Sequence, residues 1–249
     1  KHRSAMAAMF VREWKYFWRN SMWVFNNMIG ALILPLIMAM TFLMNPSEAA
    51  IPDFAGLLQK ANIWGIMPLI IAGVSMGLGG MFEVACYAVS REGQLFWISK
   101  VIPVAPAVQL RAKMWHALVM TIIAILPTWI LTGVILRIPL LYFLAGIALS
   151  ILGLWGVLAS GLLIDLIRPY LTWDHPNKVA KQNLNIVFAM FVAIWITGIG
   201  AFLAVKLISL KLGLWQVYAG VIAYLLLLAV GLELILRKIA ARRYAAIEV

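Results

Sequence analysis

The sequence predicts an all-α polytopic membrane protein with six transmembrane helices and an amphipathic helix ahead of them. Three observations carry that expectation. Of 249 residues, 65% are hydrophobic and only 12% are charged, against roughly 45–50% and 25% in a soluble domain. Six segments supply the 20 or so apolar residues that a bilayer-crossing helix needs. The cations fall on alternate connections between those segments. A water-soluble enzyme and a disordered chain are both excluded by this composition.

Residues 5–19, AMAAMFVREWKYFWR, come first. Met6, Phe10, Trp14, Phe17 and Trp18 recur on one helical face, and Arg12, Lys15 and Arg19 on the opposite one. Such a helix lies in the membrane interface, aromatic side to the acyl boundary and cations to water and anionic headgroups. Glu13 falls near the apolar side, as an acid facing the bundle or one snorkelling to water. The spans follow near 22–44, 61–88, 114–136, 140–166, 184–205 and 214–236. Pro35, Pro68 and Pro127 lie inside them and are expected kink sites. Gly73, Gly77, Gly79 and Gly80 in the second span permit close helix packing, Gly73 and Gly77 at the four-residue spacing of small-residue interfaces.

The connection 89–113, VSREGQLFWISKVIPVAPAVQLRAK, mixes Arg91, Glu92, Lys100, Arg111 and Lys113 with Leu95, Phe96, Trp97 and Ile98. Gly93, Pro103 and Pro106 punctuate it. A short helix on the membrane surface and a proline-bounded turn are expected here, serving as an interfacial anchor or a protein contact. Residues 166–184 hold Asp174 and His175 before Pro176, read as a capped turn. Most of the 20 Lys and Arg lie in the N-terminal segment, these two connections and the C-terminal stretch. Only Lys60, Arg137, Lys206 and Lys211 fall on the other side. The positive-inside rule then places both termini in the cytoplasm. The basic balance is thus a topology signal, and no nucleic-acid partner is expected.

Glu83, Asp165 and Glu233 lie in or near the ends of spans two, four and six. A lone charge in hydrocarbon costs about 3 kcal/mol or more, so each acid should find a partner. Arg168 and Arg237 stand one turn from Asp165 and Glu233. A proton-coupling role is the rival reading. Cys86 is read as a small packing residue, and His2, His116 and His175 are isolated, so no metal, cofactor or catalytic site is expected. Walker A, G-x-G-x-x-G and H-E-x-x-H patterns are absent. Asn26 and Asn27 are read as packing positions, with lining a path as the secondary reading, and Trp23, Phe25, Trp64 and Trp195 as interfacial belt positions. The first twenty residues lack a signal-peptide core, and Lys1 is read as the start of a trimmed or partial chain.

Arg12, Glu13, Lys15, Arg19 and Asn20 before the first span, SREGQLFWISKVIPVAPAVQLRAK after the second and DHPNKVAKQNLN after the fourth together resemble the permease subunits of ABC-2 type exporters. The resemblance spans essentially the whole chain, and its more specific part is SREG, the aromatic pair Phe96 and Trp97, then Lys100, Pro103, Val104, Pro106 and Lys113. It implies an elbow helix carrying Arg12, Glu13, Trp14, Lys15 and Arg19 in residues 1–20. It implies a six-helix transmembrane domain over 21–238 and a cytoplasmic tail over 239–249. It also implies a cytoplasmic coupling helix between spans two and three, with Arg91, Glu92, Gln94, Phe96, Trp97 and Lys100 meeting a separate ATP-binding-cassette ATPase subunit. The partners so implied are that ATPase, a second six-helix permease half (a second chain or a fused one) and the lipid bilayer, with the substrate passing between the halves along spans one, two and five, where Trp23, Phe25, Trp64 and Trp195 would suit an amphipathic cargo. Members of the group can be about twice this length, so the chain would be the later half of such a protein. An ion-coupled secondary transporter and a non-transporting scaffold or sensor subunit are the alternatives.

Overall fold

The computed structural model describes residues 4–44, 63–82 and 84–248, except for the side chains of 28–31, 34, 42 and 43. The described residues are helical, with no strand among them. Helix α1 runs Ala5–Trp18 and opens on Ser4, whose hydroxyl accepts the Ala7 N–H at 3.2 Å, an N-cap that satisfies a donor the helix cannot. Asn20 turns the chain and accepts the Met22 N–H at 3.0 Å. Helix α2 then runs Ser21–Met44 over the first expected span, with Pro35 inside it.

A turn of 3₁₀-helix at Ile63–Ile66 leads into α3, Met67–Met81. Pro68 sits in its first turn, where the missing N–H would be unpaired anyway, so the kink expected there is absent. A second 3₁₀ turn, Ser90–Leu95, precedes the short α4, Phe96–Val101. The remaining helices are α5, Pro106–Ile135, α6, Leu140–Ile167, the short α7, Pro176–Lys181, α8, Leu184–Ser209, and α9, Leu214–Ala246.

Among the described residues, five helical stretches are long and apolar enough to cross a membrane: Ile63–Met81, Pro106–Ile135, Leu140–Ile167, Pro176–Ser209 and Leu214–Ala246. By that measure the chain is a multi-pass membrane protein. Three expected spans change length most. The second was drawn to residue 88, but α3 stops at Met81, and Val84 to Val89 form a turn buried inside the protein. The third begins eight residues earlier than drawn, at Pro106. The last helix runs on to Ala246, so much of the stretch read as a tail is helix, with Tyr244 and Ile247 buried.

Helices α3 and α6 meet across glycine. A methyl group on Gly79 would overlap Leu154, one on Gly146 would meet Ile71, and one on Gly153 would overlap Met76. Gly80 makes the same allowance for Ala193 of α8. Gly73 and Gly77 have nothing within 4 Å of that position, so close packing falls to the second glycine pair rather than the first. A polar link joins three helices within this core. Ser75 of α3 donates to the Ile71 carbonyl at 2.6 Å and accepts from Trp129 Nε1 of α5 at 2.8 Å and from Ser150 of α6 at 3.0 Å. Serine bonds of this kind hold helices together where apolar burial offers little drive.

The helix ends fall into two groups. One end of the bundle gathers α1, the 84–105 connection, the C-terminal ends of α6 and α9 and the 168–183 connection, together with most of the described cations. The other holds Arg137, Lys206 and Lys211. The first is called the basic end below.

Candidate functional site: a segment locked between two buried carboxylate clusters

The 90–101 segment is shaped by one backbone feature. Gly93 adopts φ 55° and ψ −139°, a conformation that costs a side chain heavily. A Cβ there would also meet the Trp173 indole at 2.8 Å. The indole Nε1 donates to the Ser90 carbonyl at 2.8 Å. Ser90 to Gly93 are buried, and α4 begins immediately after, with Phe96 buried and Trp97 and Val101 turned outward.

On one side, five charged residues from three elements converge. Glu13 of α1 accepts from Arg91 Nη2 at 2.7 Å and from Lys113 Nζ of α5 at 2.9 Å. Lys113 also pairs with Glu92 at 2.5 Å and donates to the Ala88 carbonyl at 2.9 Å. Arg12 reaches the other Glu92 oxygen at 3.3 Å and donates to Ser99 Oγ at 2.9 Å. The Ser99 hydroxyl donates to Glu92, and Gln109 Nε2 donates to the carbonyls of Ser99 and Val104, each at 2.9 Å. Tyr16 donates to the Arg91 carbonyl at 2.9 Å. The Arg91 guanidinium lies 5.7 Å from the Phe17 ring centre, a distance at which the ring face attracts it.

Arg91, Lys113, Glu13 and Glu92 are all buried. Burial pushes the Glu13 carboxyl upward. Lys113 and Arg91 outweigh that effect, with help from the Lys113 hydrogen bond, and hold it down at about 2. The acid is thus ionised and committed to its cations.

On the other side, Asp165 of α6 is fully buried and is held by neutral donors. Its carboxylate accepts the Val89 N–H at 2.6 Å, the Ser90 N–H at 3.0 Å, the Ser90 hydroxyl, and Asn185 Nδ2 of α8 at 3.1 Å. Tyr170 N–H donates to the same Ser90 hydroxyl at 2.8 Å. The pairing of Asp165 with Arg168 expected from their spacing does not form. Arg168 lies instead 5.2 Å from the Phe188 ring centre. Glu233 follows its expectation and extends it: Arg237 reaches it at 2.9 Å, and Arg111 of α5 donates twice, at 3.0 and 2.9 Å. Glu83 lies outside the described residues.

The end of α9 closes the segment. The Phe96 ring packs 5.1 Å from that of Tyr244, and Lys100 donates to the Ile247 carbonyl. Of the residues expected to meet a partner, Gln94, Trp97 and Lys100 are exposed, whereas Arg91, Glu92 and Phe96 face inward. Their charges and ring are spent on contacts within this chain, and the exposed residues of the segment are Gln94, Leu95, Trp97, Lys100 and Val101. On α1, Arg12 and Glu13 join the network, Trp14 is half-buried beside His116, and Lys15 and Arg19 are exposed. Trp23 is fully buried and stacked on Tyr87 at 5.6 Å, which removes it from any cargo path. Phe25 and Trp195 are exposed, and Trp64 is half-buried.

Sequence reasoning missed Ser90, Ser99, Asn185 and Trp173, and it did not join Lys113 to Glu13. It also counted G-x-S-x-G among the absent patterns, yet Gly73-Val74-Ser75-Met76-Gly77 has that spacing of a serine nucleophile. Ser75 is buried within a helix and engaged by Trp129 and Ser150. His116 stands about 20 Å along α5 from Trp129, at 1.5 Å per residue, out of reach of Ser75 as a base. Among the described residues no group of three or more His, Cys, Asp or Glu could hold a metal ion.

Comparison with protein-family models, with curated proteins and with solved structures finds no match.

Proposed function

We propose that the chain is the membrane-embedded permease subunit of an ABC-2 type exporter, moving its substrate by alternating access driven by a separate ATPase. One observation supports this above the others. A short exposed element, Gln94 to Val101, is fastened from behind to α1 and α5 through Glu13, Glu92 and Lys113, and to α6 and α8 through Asp165. A push on Trp97 or Val101 would therefore move four helices as one body, the motion a permease half needs for rigid-body alternation. In this reading the basic end is cytoplasmic, α2 is the sixth span, α1 is the elbow and Gln94 to Val101 is the coupling element. A second six-helix half completes the path.

The test is purification from the native membrane in mild detergent, with crosslinking before lysis. A stoichiometric partner with vanadate-sensitive ATP hydrolysis is expected. The double substitution Trp97→Ala/Val101→Ser should reduce its recovery at least tenfold while the melting temperature of the permease stays unchanged. Phe96 is a poor probe, because its ring holds Tyr244. Clean purification with no ATPase would sink the proposal.

An ion-coupled carrier is the second reading. The observation favouring it is Asp165, a buried carboxylate with no cation within ion-pair distance among the described residues. It calls for flux driven by a proton gradient without ATP and abolished by Asp165→Asn.

A further inference from the structure

At the basic end, the junction between α6 and α8 forms an open groove of about 540 Å³, lined by Arg168, Pro169, Tyr170, Gln182, Asn183 and Asn185 among others. Three features make it attractive to an anion. Arg168 is exposed and has no acidic partner among the described residues. Asn183, only 6% exposed, spends its Oδ1 on the Asn185 N–H, while its Nδ2 has no hydrogen-bond partner, and an orphaned buried donor is costly. The groove also lies at the N-terminus of the 26-residue α8, where the helix dipole favours negative charge. Asp165 sits behind Asn185 with its oxygens already engaged by donors.

A second set of residues decides which anion. Directly below the groove, Leu184, Val187, Phe188 and Phe191 recur on one face of α8, exposed by 60%, 43%, 43% and 55%. Ile167, at the end of α6, is 43% exposed. A polar, cationic pocket above a continuous apolar strip matches an amphipathic molecule with a phosphate head and a hydrocarbon tail. Free phosphate would have no use for the strip. We propose that this groove is a binding site for the headgroup of an anionic phospholipid, with its phosphate on Arg168 and Asn183 and one acyl chain along Leu184, Val187, Phe188 and Phe191. The assignment is independent of the transporter reading.

Native mass spectrometry of the full chain, released from mixed bilayers of phosphatidylglycerol and phosphatidylcholine, tests it. The unaltered protein should retain phosphatidylglycerol in preference to phosphatidylcholine. Arg168→Gln removes a charge-assisted contact and should lower that retention about tenfold. Gln182→Glu, at an exposed position, places a negative charge in the groove and should do the same. Melting temperature without added lipid should be unaltered in both. A parallel arm measures melting with millimolar inorganic phosphate in place of lipid. Equal retention of the two lipids would overturn the proposal, as would phosphatidylglycerol retention unchanged by both variants. Stabilisation by phosphate alone, with no lipid preference, would make the groove a free-anion site and remove the lipid from it.

Discussion

Glu13 and Asp165 are both buried carboxylates that grip the same short segment, one from α1 and one from α6. Glu13 is ringed by cations. Asp165 is ringed by two backbone N–H groups, a hydroxyl and an amide. The difference decides how each can fail. At Glu13 the partners are themselves buried charges, so removing one member strands the others in a medium that cannot solvate them. At Asp165 the partners are neutral, so neutralising the acid strands donors only, at the lower cost of unmade hydrogen bonds. The cation-rich cluster is therefore the brittle one and the neutral cluster the tolerant one.

Lys113→Met should break the comparison most forcefully. It removes the ammonium shared by Glu13 and Glu92, and losing one partner of a buried pair costs about 3–5 kcal/mol. The expected outcome is loss of monodisperse protein in detergent size-exclusion chromatography. Adding Glu92→Gln to the same chain should recover part of the yield, since Glu13 keeps Arg91 whereas Glu92 is left with only the partly exposed Arg12. Asp165→Asn is the counterpart on the other side. It keeps the shape and one acceptor but turns an amide toward Ser90, at a cost of about 1–3 kcal/mol. The protein should remain monodisperse with a lowered melting temperature. A variant as damaged as Lys113→Met would mean the two clusters do not differ as described.

The smallest effect is read in acid. The Glu13 carboxyl sits at about 2 in the folded protein, against 4.5 for an ordinary glutamate. A depressed carboxylate stabilises the fold fully above its unfolded value, and that contribution fades as pH falls through the folded one. Melting temperature should decline from about pH 4.5 toward 2, and Glu13→Gln should flatten that decline. A slope unchanged by Glu13→Gln would show that other acids carry it.

Hydropathy made the long helices legible and misjudged their ends, for a physical reason. It registers that a residue avoids water and is blind to whether lipid or protein shelters it. Val84 to Ala88 are apolar because they lie inside the protein, and hydropathy adds them to a span that α3 has already left. Gln109, Arg111 and Lys113 are polar, so the first turns of α5 were left out, although the helix continues through them to Pro106. The start of α9 was legible and its extension past residue 238 was not, for the same reason. In the site, the placement of Glu13 near an apolar face could be read from helical spacing. Its cations could not, because Arg91 and Lys113 arrive from 78 and 100 residues away. One cue was available: an opposite-charge pair, Arg91-Glu92, beside buried-type residues, with a lysine near the start of a long apolar helix.

Lys113 divides one ammonium group between two acids and a carbonyl. Such a position cannot drift alone. Replacing the lysine is tolerable only in a background where residues 13 and 92 have already lost charge, and losing either acid first loosens the need for the lysine. Positions 13, 92 and 113 should accordingly change together in descent. Among divergent sequences sharing this fold they would form a covarying triplet bridging the first helix, the surface segment and the third long helix, recognisable with no structure in hand.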